Sequence, residues 1–506
     1  MFDKNDSLAS RFMRRGSLLL FALSVGSLCP HAAAEEYDAH TPITDVVMQN
    51  PTEDEVWLID SPHTLTCSTS TDTDRKRPSE EDPWEDVGDS VTHFWSATGG
   101  QFKNNDNVGT SVEYICSHVA DFYGITVYAD DDYAPDNDPV VDEDAKSDSE
   151  TIQVVGLEVF SVGFTADHSL KKTPTPDPWA DGAAAITDPI WILGGTDNAA
   201  TNHVCWTKGE GGDTATVKAR VSKALTEEAS FQLGGTGTGT WNWGNCSIGS
   251  GSTESSEATC THVQDWIDKV SKGGLTCNWQ FKYPTGANVQ RSLNSSSHSV
   301  YLTYGTPAGS DVTVKRIDFV CGAANGLSGL GECADAVFGQ LNGSFDLESE
   351  NWGPDPVWLL HNPPGTETSQ CPGLAFFVSK HFEMLGLGAG EIRYCHATAA
   401  GGYAAPLNFT VPTRTIGAEH PAGTAHNDHS LEEEIGHVDG NGGINNFEAT
   451  CFFNGKHYAL GVGAFSTAKE VVKTAFTVGG VLQIYWFYSD ASGWEKCTEA
   501  PWVEAP

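Results

Sequence analysis

The sequence predicts a multidomain chain: a signal segment, an all-β sandwich, a second mostly-β module, and a C-terminal α+β domain. Three observations carry this. The chain has 506 residues, enough for roughly three domains. From residue 36 to about 308, short alternating or β-branched runs recur between Gly, Asn and Asp turns. From about 309 the apolar spacing becomes helical and then returns to strand patterning.

Composition narrows the function classes. Hydrophobic residues make up 39% and aromatics 10%, enough for packed cores. The 68 acidic residues outnumber the 28 basic ones, giving a formal net charge of -40. That excess argues against nucleic acid as a partner, since phosphate contact needs clustered Lys and Arg. It argues equally against docking on an anionic membrane. What remains is a solvating charge or an affinity for divalent cations.

Residues 1–34 read as a signal peptide. Arg11, Arg14 and Arg15 form its basic region, GSLLLFALSVGSL its apolar core, and Ala32 and Ala34 set a cut before Glu35. Arg14–Arg15 fits the twin-arginine route poorly, and Leu28 before Cys29 is too large for lipoprotein processing. No later apolar run is long enough to span a bilayer. The expected location is secreted, periplasmic or cell surface. Twelve of the 13 cysteines remain after such a cut, and in an oxidising compartment most are expected to pair.

Residues 36–156 carry the first module. DSVTHFWSATGGQF, SVEYICS, GITVYADD and ETIQVV are its strands. Cys67, Trp95 and Cys116 resemble the Cys-Trp-Cys pattern of immunoglobulin-like domains, and the surrounding text resembles bacterial Ig-like and PKD-like modules. Cys116 precedes YGITVYADD, so by strand order it belongs to strand E rather than F. The resemblance then implies an intra-sheet Cys67–Cys116 bridge. The acidic stretch DDDYAPDNDPVVDEDAKSDSE, around residues 129 to 149, reads as a solvated loop or as an oxygen-rich Ca²⁺ site without EF-hand spacing. No other cofactor is expected.

Residues 157–308 form the second module. ATVKARVS, ASFQLGG and HSVYLTYGTP are strands, and THVQDWIDKV reads as a short helix. Cys205, Cys246, Cys260 and Cys277 are expected to form two bridges; a zinc site is the other reading, though no C-x2-C pair is present.

Residues 309–495 form the third unit. VKRIDFVCGAANGL and GECADAVFGQLNGSF have helical spacing. Leu374, Phe377, Val378, Phe382 and Leu385 continue it after Cys371, with Pro372 in the first turn and Gly386 as the stop. EIRYCHAT, NNFEATCFF, HYALGVGAF and LQIYWFYS are strands. A thiol at a helix N-terminus sits in the positive end of the dipole, which favours the thiolate. WLLHNPPGTETSQCPGLAFFVSKHFEMLGLGAGEIRYCHAT resembles the nucleophile helix of the transglutaminase-like, papain-related superfamily. That resemblance implies Cys371 as nucleophile, a histidine on a following strand and an aspartate on the next. Aligning on FNGKHY puts Glu448 at the histidine position and Ala459 at the aspartate position, so the implied triad is degenerate. Strand alternation puts Glu448 and Thr450 on one face and Cys451 on the other. The expected arrangement turns Glu448 toward Cys371, with no imidazole in reach. His361, His396, His457 and the cluster His426, His429 and His437 are the histidines that could substitute or bind metal. Cys333 is the other candidate nucleophile, or a bridge partner for Cys321.

Two functions follow. One is a non-catalytic exported protein, using degenerate transglutaminase-like and Ig-like domains for binding or envelope structure. Its partners are extracellular or envelope proteins or peptides. The other is a cysteine amidase, protease or acyl transferase using Cys371.

Overall fold

The computed structural model describes residues 37–39, 43–73, 75–77, 85–86, 91–130, 146–180, 182–186, 189–284, 290–308, 312–342, 371–399 and 447–475, with short strands between 477 and 496. The signal segment and most of the acidic stretch lie outside these residues. No described helix is long and apolar enough to cross a membrane.

The first module is a sandwich of two four-stranded sheets. Its strands are β1 (Met48–Asn50), β2 (Val56–Leu58), β3 (Pro62–Cys67), β4 (Thr92–Ala97), β5 (Gln101–Phe102), β6 (Ser111–Ile115), β7 (Phe122–Asp130) and β8 (Lys146–Val155). One sheet runs β1-β3-β6-β5 and the other β2-β8-β7-β4, with β2 parallel to β8. Alternation builds the core. Val112 and Tyr114 of β6 turn inward between exposed Ser111 and Glu113, and meet Trp57, Trp95, Ile125 and Val127 from the facing sheet. The strand order is Ig-like, and Cys116 follows strand E in the β3 sheet.

The Cys67–Cys116 bridge is corrected by register. β3 and β6 are antiparallel, with Leu65 opposite Val112. The Cys67 amide donates to the Thr110 carbonyl, and the Cys116 amide to that of Ser61. The two cysteines thus sit at opposite ends of one strand pair, six residues or about 20 Å apart. A disulfide needs Cα atoms about 4.4–6.8 Å apart.

β8 ends at Val155 and β9 (Leu157–Phe164) begins the second module after one glycine. Val56, Leu58 and Val155 of the first module pack in the second module's core. Arg291 holds Asp60 through two bonds of 2.9 and 3.0 Å, and the Tyr283 hydroxyl donates to the Ile59 carbonyl at 2.8 Å. Shared core and a bidentate pair make the tandem one stiff unit.

The second module is also a sandwich. It adds β10 (Ile190–Ile192), β11 (His203–Thr207), β12 (Thr214–Val221), β13 (Ala229–Gly237), β14 (Trp241–Ile248), β15 (Ala258–Thr261), β16 (Ser271–Lys282) and β17 (Arg291–Thr303). The sheets are β10-β9-β12-β15 and β11-β17-β16-β13-β14. The helix expected in THVQDWIDKV is not formed. His262 instead bridges Trp241, and Trp266 stacks on His262 (4.2 Å) and Trp206 (4.6 Å), so aromatic packing outweighs helical spacing.

The expected bridges of this module are corrected too. Val204 and Trp206 face the sandwich core with Cys246, Cys260 and Cys277. Cys205, between them on β11, must point the other way, and lies in the next core with Cys321 and Cys333. The ten described cysteine side chains are all buried and none is bridged. Adding a reductant is therefore expected to leave the melting temperature nearly unchanged. Loss of even one bridge worth about 2–4 kcal/mol would lower it by several degrees, and differential scanning with and without reductant reads this directly.

The third unit sets α1 (Val314–Ala323) against β16 and β17 of the second module, α2 (Leu330–Leu341) against α1, and α3 (Cys371–Met384) against both helices and a six-stranded sheet. Its strands are β18 (Glu391–Ala399), β19 (Phe447–Phe453), β20 (Lys456–Ala459), β21 (Gly463–Phe465), β22 (Ile484–Ser489) and β23 (Gly493–Lys496), in the order β21-β20-β19-β18-β22-β23. A helix outside the sequence-based expectations, α4 (Ala468–Ala475), packs against β18 to β22. Its signal was present: Thr467 and Glu470 form a reciprocal capping box.

Candidate functional site

α3 starts at Cys371, as its spacing implies. The helix ends in a Schellman motif. The Gly386 amide donates to the Glu383 carbonyl at 3.0 Å and the Leu387 amide to that of Phe382 at 3.0 Å, with Gly386 at φ +79°. The Cys371 side chain, the His396 side chain, and residues 361, 426, 429 and 437 lie outside the description. The chemistry open to this helix is therefore read from the strands it meets.

Ring contacts fix which sheet face that is. Phe382 of α3 lies 5.1 Å from Phe453 and 5.2 Å from Tyr458. Cys451 and Tyr458 are paired across β19 and β20, so they share this face. The positions toward α3 are thus Ala449, Cys451 and Phe453 on β19, and Tyr458 on β20. None is a general base, and burial pushes the Cys451 thiol far up. Among the described side chains one imidazole lies on the helix side, that of His381 on α3 itself; His396, whose side chain is not described, holds a β18 register position in phase with Ile392, the partner of Cys451. The His381 Nδ1–H donates to the Phe377 carbonyl at 2.8 Å, and burial holds this ring down to about 4.

Glu448 and Thr450 do share a face, opposite Cys451, but it is the far one. Glu448 is paired with Cys395 and is 4% exposed. The expectation that Glu448 turns toward the nucleophile helix is corrected. Burial pushes its carboxyl up to about 8, so it is uncharged at neutral pH. Ala459 and His457 lie on this far face as well. His457 Nδ1 is 2.9 Å from Thr450 Oγ1 and 3.9 Å from Cys395 Sγ. His457 thus lies beside the sulfur of Cys395, a residue outside the candidate set. Cys395, Thr450 and His457 are all buried, so a substrate carbonyl has no route to the pair. Cys333 is not at a helix start. It is the fourth residue of α2, wholly buried, with its thiol pushed up to about 11 by burial.

A second constellation was invisible in the sequence. Trp279 Nε1–H donates to Ser296 Oγ (2.9 Å), Ser296 Oγ lies 2.7 Å from His298 Nε2, and His298 Nδ1 lies 2.5 Å from Asn202 Oδ1. The Asn202 amide donates to the Ser297 carbonyl, which turns its Oδ1 toward the ring. His298 therefore carries its proton on Nδ1 and accepts from Ser296. That is the proton order of a Ser-His-Asn relay. Ser296, however, is 1% exposed inside the sandwich core. The network satisfies buried polar groups and offers no nucleophile.

No family model matches the chain, and no curated relative matches it. Among solved structures, the fibronectin(III)-like modules of Clostridium thermocellum CbhA are 8% identical over 51% of this chain and 93% of that one, with a TM-score of 0.16. The Yersinia pseudotuberculosis adhesin InvE is 10% identical over 52% of this chain and 60% of that one, with a TM-score of 0.16. Dpr2 Ig1-Ig2, in complex with DIP-Theta Ig1-Ig3, is 11% identical over 52% and 65%, with a TM-score of 0.15. The chain spans less than two thirds of the adhesin and Dpr2 chains. Likeness at this level names no activity. Strand order itself defines the class: a mostly-β chain whose first module is Ig-like.

Proposed function

We propose that this chain is an exported bacterial protein that serves binding or envelope-associated structure, and that its transglutaminase-like C-terminal domain does no thiol chemistry. One observation carries the reading: among the described side chains, the strand face packed on α3 presents Ile392, Ala449, Cys451, Phe453 and Tyr458, none of them a base for a Cys371 nucleophile. The stiff tandem of sandwiches supports the binding role, because it holds loops and edges at fixed spacing for an extracellular or envelope protein or peptide. The location consistent with this reading is secreted, periplasmic or cell surface, with no resident cofactor required.

The test is a thiol-directed electrophile on the folded protein at neutral pH, with peptide mapping, alongside amide and ester turnover. Slow, unselective labelling and no turnover above the Cys371→Ala variant are expected. Rapid labelling confined to Cys371, with turnover abolished in that variant, would establish the cysteine amidase reading instead.

A further inference from the structure

The five-stranded sheet β11-β17-β16-β13-β14 turns one face to the sandwich core and the other outward. Among the described residues α1 covers that outer face at one end, where Lys272 and Tyr301 meet Asp318. The rest is open. Leu275, Cys277 and Trp279 of β16 are buried, so Thr276, Asn278 and Gln280 point out. Register extends them into rows: Gly234 beside Gln280, Thr236 beside Asn278 and Ser295, Thr276 beside Ser297, and Gly274 beside Ser299 and His203.

Charge sets this face apart. The chain carries 68 Asp and Glu in 506 residues, yet none lies on the strands of this sheet. Their Lys and Arg are engaged: Arg291 with Asp60, Lys272 with Asp318, and Lys282 Nζ at 4.4 Å from the Trp243 ring centroid. What remains is amides and hydroxyls, which both donate and accept. An indole lies at one end. A Cβ on Gly234 would come 2.9 Å from Cδ2 and Cε3 of Trp243, so the ring rests on bare backbone. The other end is a depression of about 260 Å³ walled by Trp191, Asn198, His203, Ser297 and Ser299. His203 Nε2–H donates to the Ala199 carbonyl at 2.9 Å, and its buried Nδ1 is an acceptor with no partner among the described residues. Four strand spacings separate β14 from β11, about 19 Å, the length of about four hexose rings.

We propose that this face binds a neutral polysaccharide, laid across the strands from Trp243 to the depression at His203. The chemistry of the two surfaces matches. A pyranose ring offers an apolar C–H face to a flat indole, and its hydroxyls donate and accept as the Gln280, Asn278 and Ser297 side chains do. The ammonium of Lys282 makes only a weak exposed contact with the indole, which a sugar ring can displace. Other occupants fit less well. The net charge of -40 repels an anionic polymer, and an extended peptide seeks a free sheet edge rather than a face. The ligand is distinct from an extracellular protein or peptide, and its binding is independent of the chemistry at Cys371.

The test is native gel retardation of the intact chain in matrices carrying a neutral glucan, mannan, xylan or galactan, with polygalacturonate as the anionic comparison. Sedimentation of the chain alone runs beside it. Retardation by at least one neutral polymer is expected, and none by polygalacturonate. Trp243→Ala should weaken it by at least about tenfold, the scale of an aromatic anchor. Asn278→Arg, at an exposed position in mid-face, should block it without disturbing the core, and Gln101→Ala on the first module should leave it unchanged. Circular dichroism of each variant checks folding. No retardation by any of the four neutral polymers, equal retardation by polygalacturonate, or retardation unaltered in both face variants would each overturn the proposal. A dimer that Asn278→Arg splits would assign the face to a second copy of this chain instead.

Discussion

At pH 8 the Glu448→Gln variant is expected to be more stable than the parent chain, by roughly 3–4 kcal/mol, and at pH 4.5 the two should be nearly equal. Glu448 is 4% exposed, and burial raises its carboxyl from the ordinary 4.5 to about 8. The sign follows from proton counting. Between these values the native state holds the proton and the unfolded state has released it, so stability falls as pH rises. Each unit in that window removes about 1.4 kcal/mol. A neutral amide of the same shape removes the penalty on the alkaline side. The acid side is governed by other groups. Burial holds His298 down to about 3 and His381 to about 4, so both resist charging. Their contribution is present above the ordinary value of 6.5 and is lost as pH falls toward the folded one. Urea unfolding from pH 4 to pH 9 tests both limbs. An alkaline limb that is no flatter in Glu448→Gln would place the titrating group elsewhere.

Strand and helix identity in the third unit was legible because period is local. EIRYCHAT, NNFEATCFF and the run after Cys371 each carry their own spacing, and each formed the expected element. Alternation likewise separated Glu448 and Thr450 from Cys451. What period two cannot say is which face meets the helix. That depends on Phe453 and Tyr458 receiving Phe382, a contact spanning more than 70 residues of sequence. The cysteines failed for the same reason. Cys67 and Cys116 lie on neighbouring strands of one sheet, but the β3–β6 register separates them by six residues. The Ser296–His298–Asn202 group joins residues 96 positions apart, and no spacing rule reaches that far.

Gly386→Ala is expected to cost on the order of 3–4 kcal/mol, and to loosen the third unit from the second sandwich as well as fray α3. Two penalties coincide at this residue. Its φ of +79° is a left-handed conformation, which costs a residue with a Cβ about 1–2 kcal/mol. The added Cβ would also lie 2.1 Å from the Gly305 carbonyl oxygen and 2.3 Å from its carbon. Those are backbone atoms, so no side chain can swing away; relief requires moving a chain segment. That segment is the connection leaving β17, and it also closes the end of α3. The Tyr304 amide donates to the Leu385 carbonyl at 3.0 Å, and the Ala308 amide to that of Glu383 at 2.9 Å. Displacing Gly305 therefore endangers carbonyl partners that the helix terminus otherwise lacks. Gly388 separates the two penalties, because its φ is +104° yet nothing lies within 4 Å of its Cβ position. Gly388→Ala should lose only the backbone share, about 1–2 kcal/mol. Amide exchange in Gly386→Ala should accelerate at Tyr304 and Ala308, and should be near parental in Gly388→Ala. Equal losses in the two variants would show that the contact with Gly305 does not hold the third unit in place.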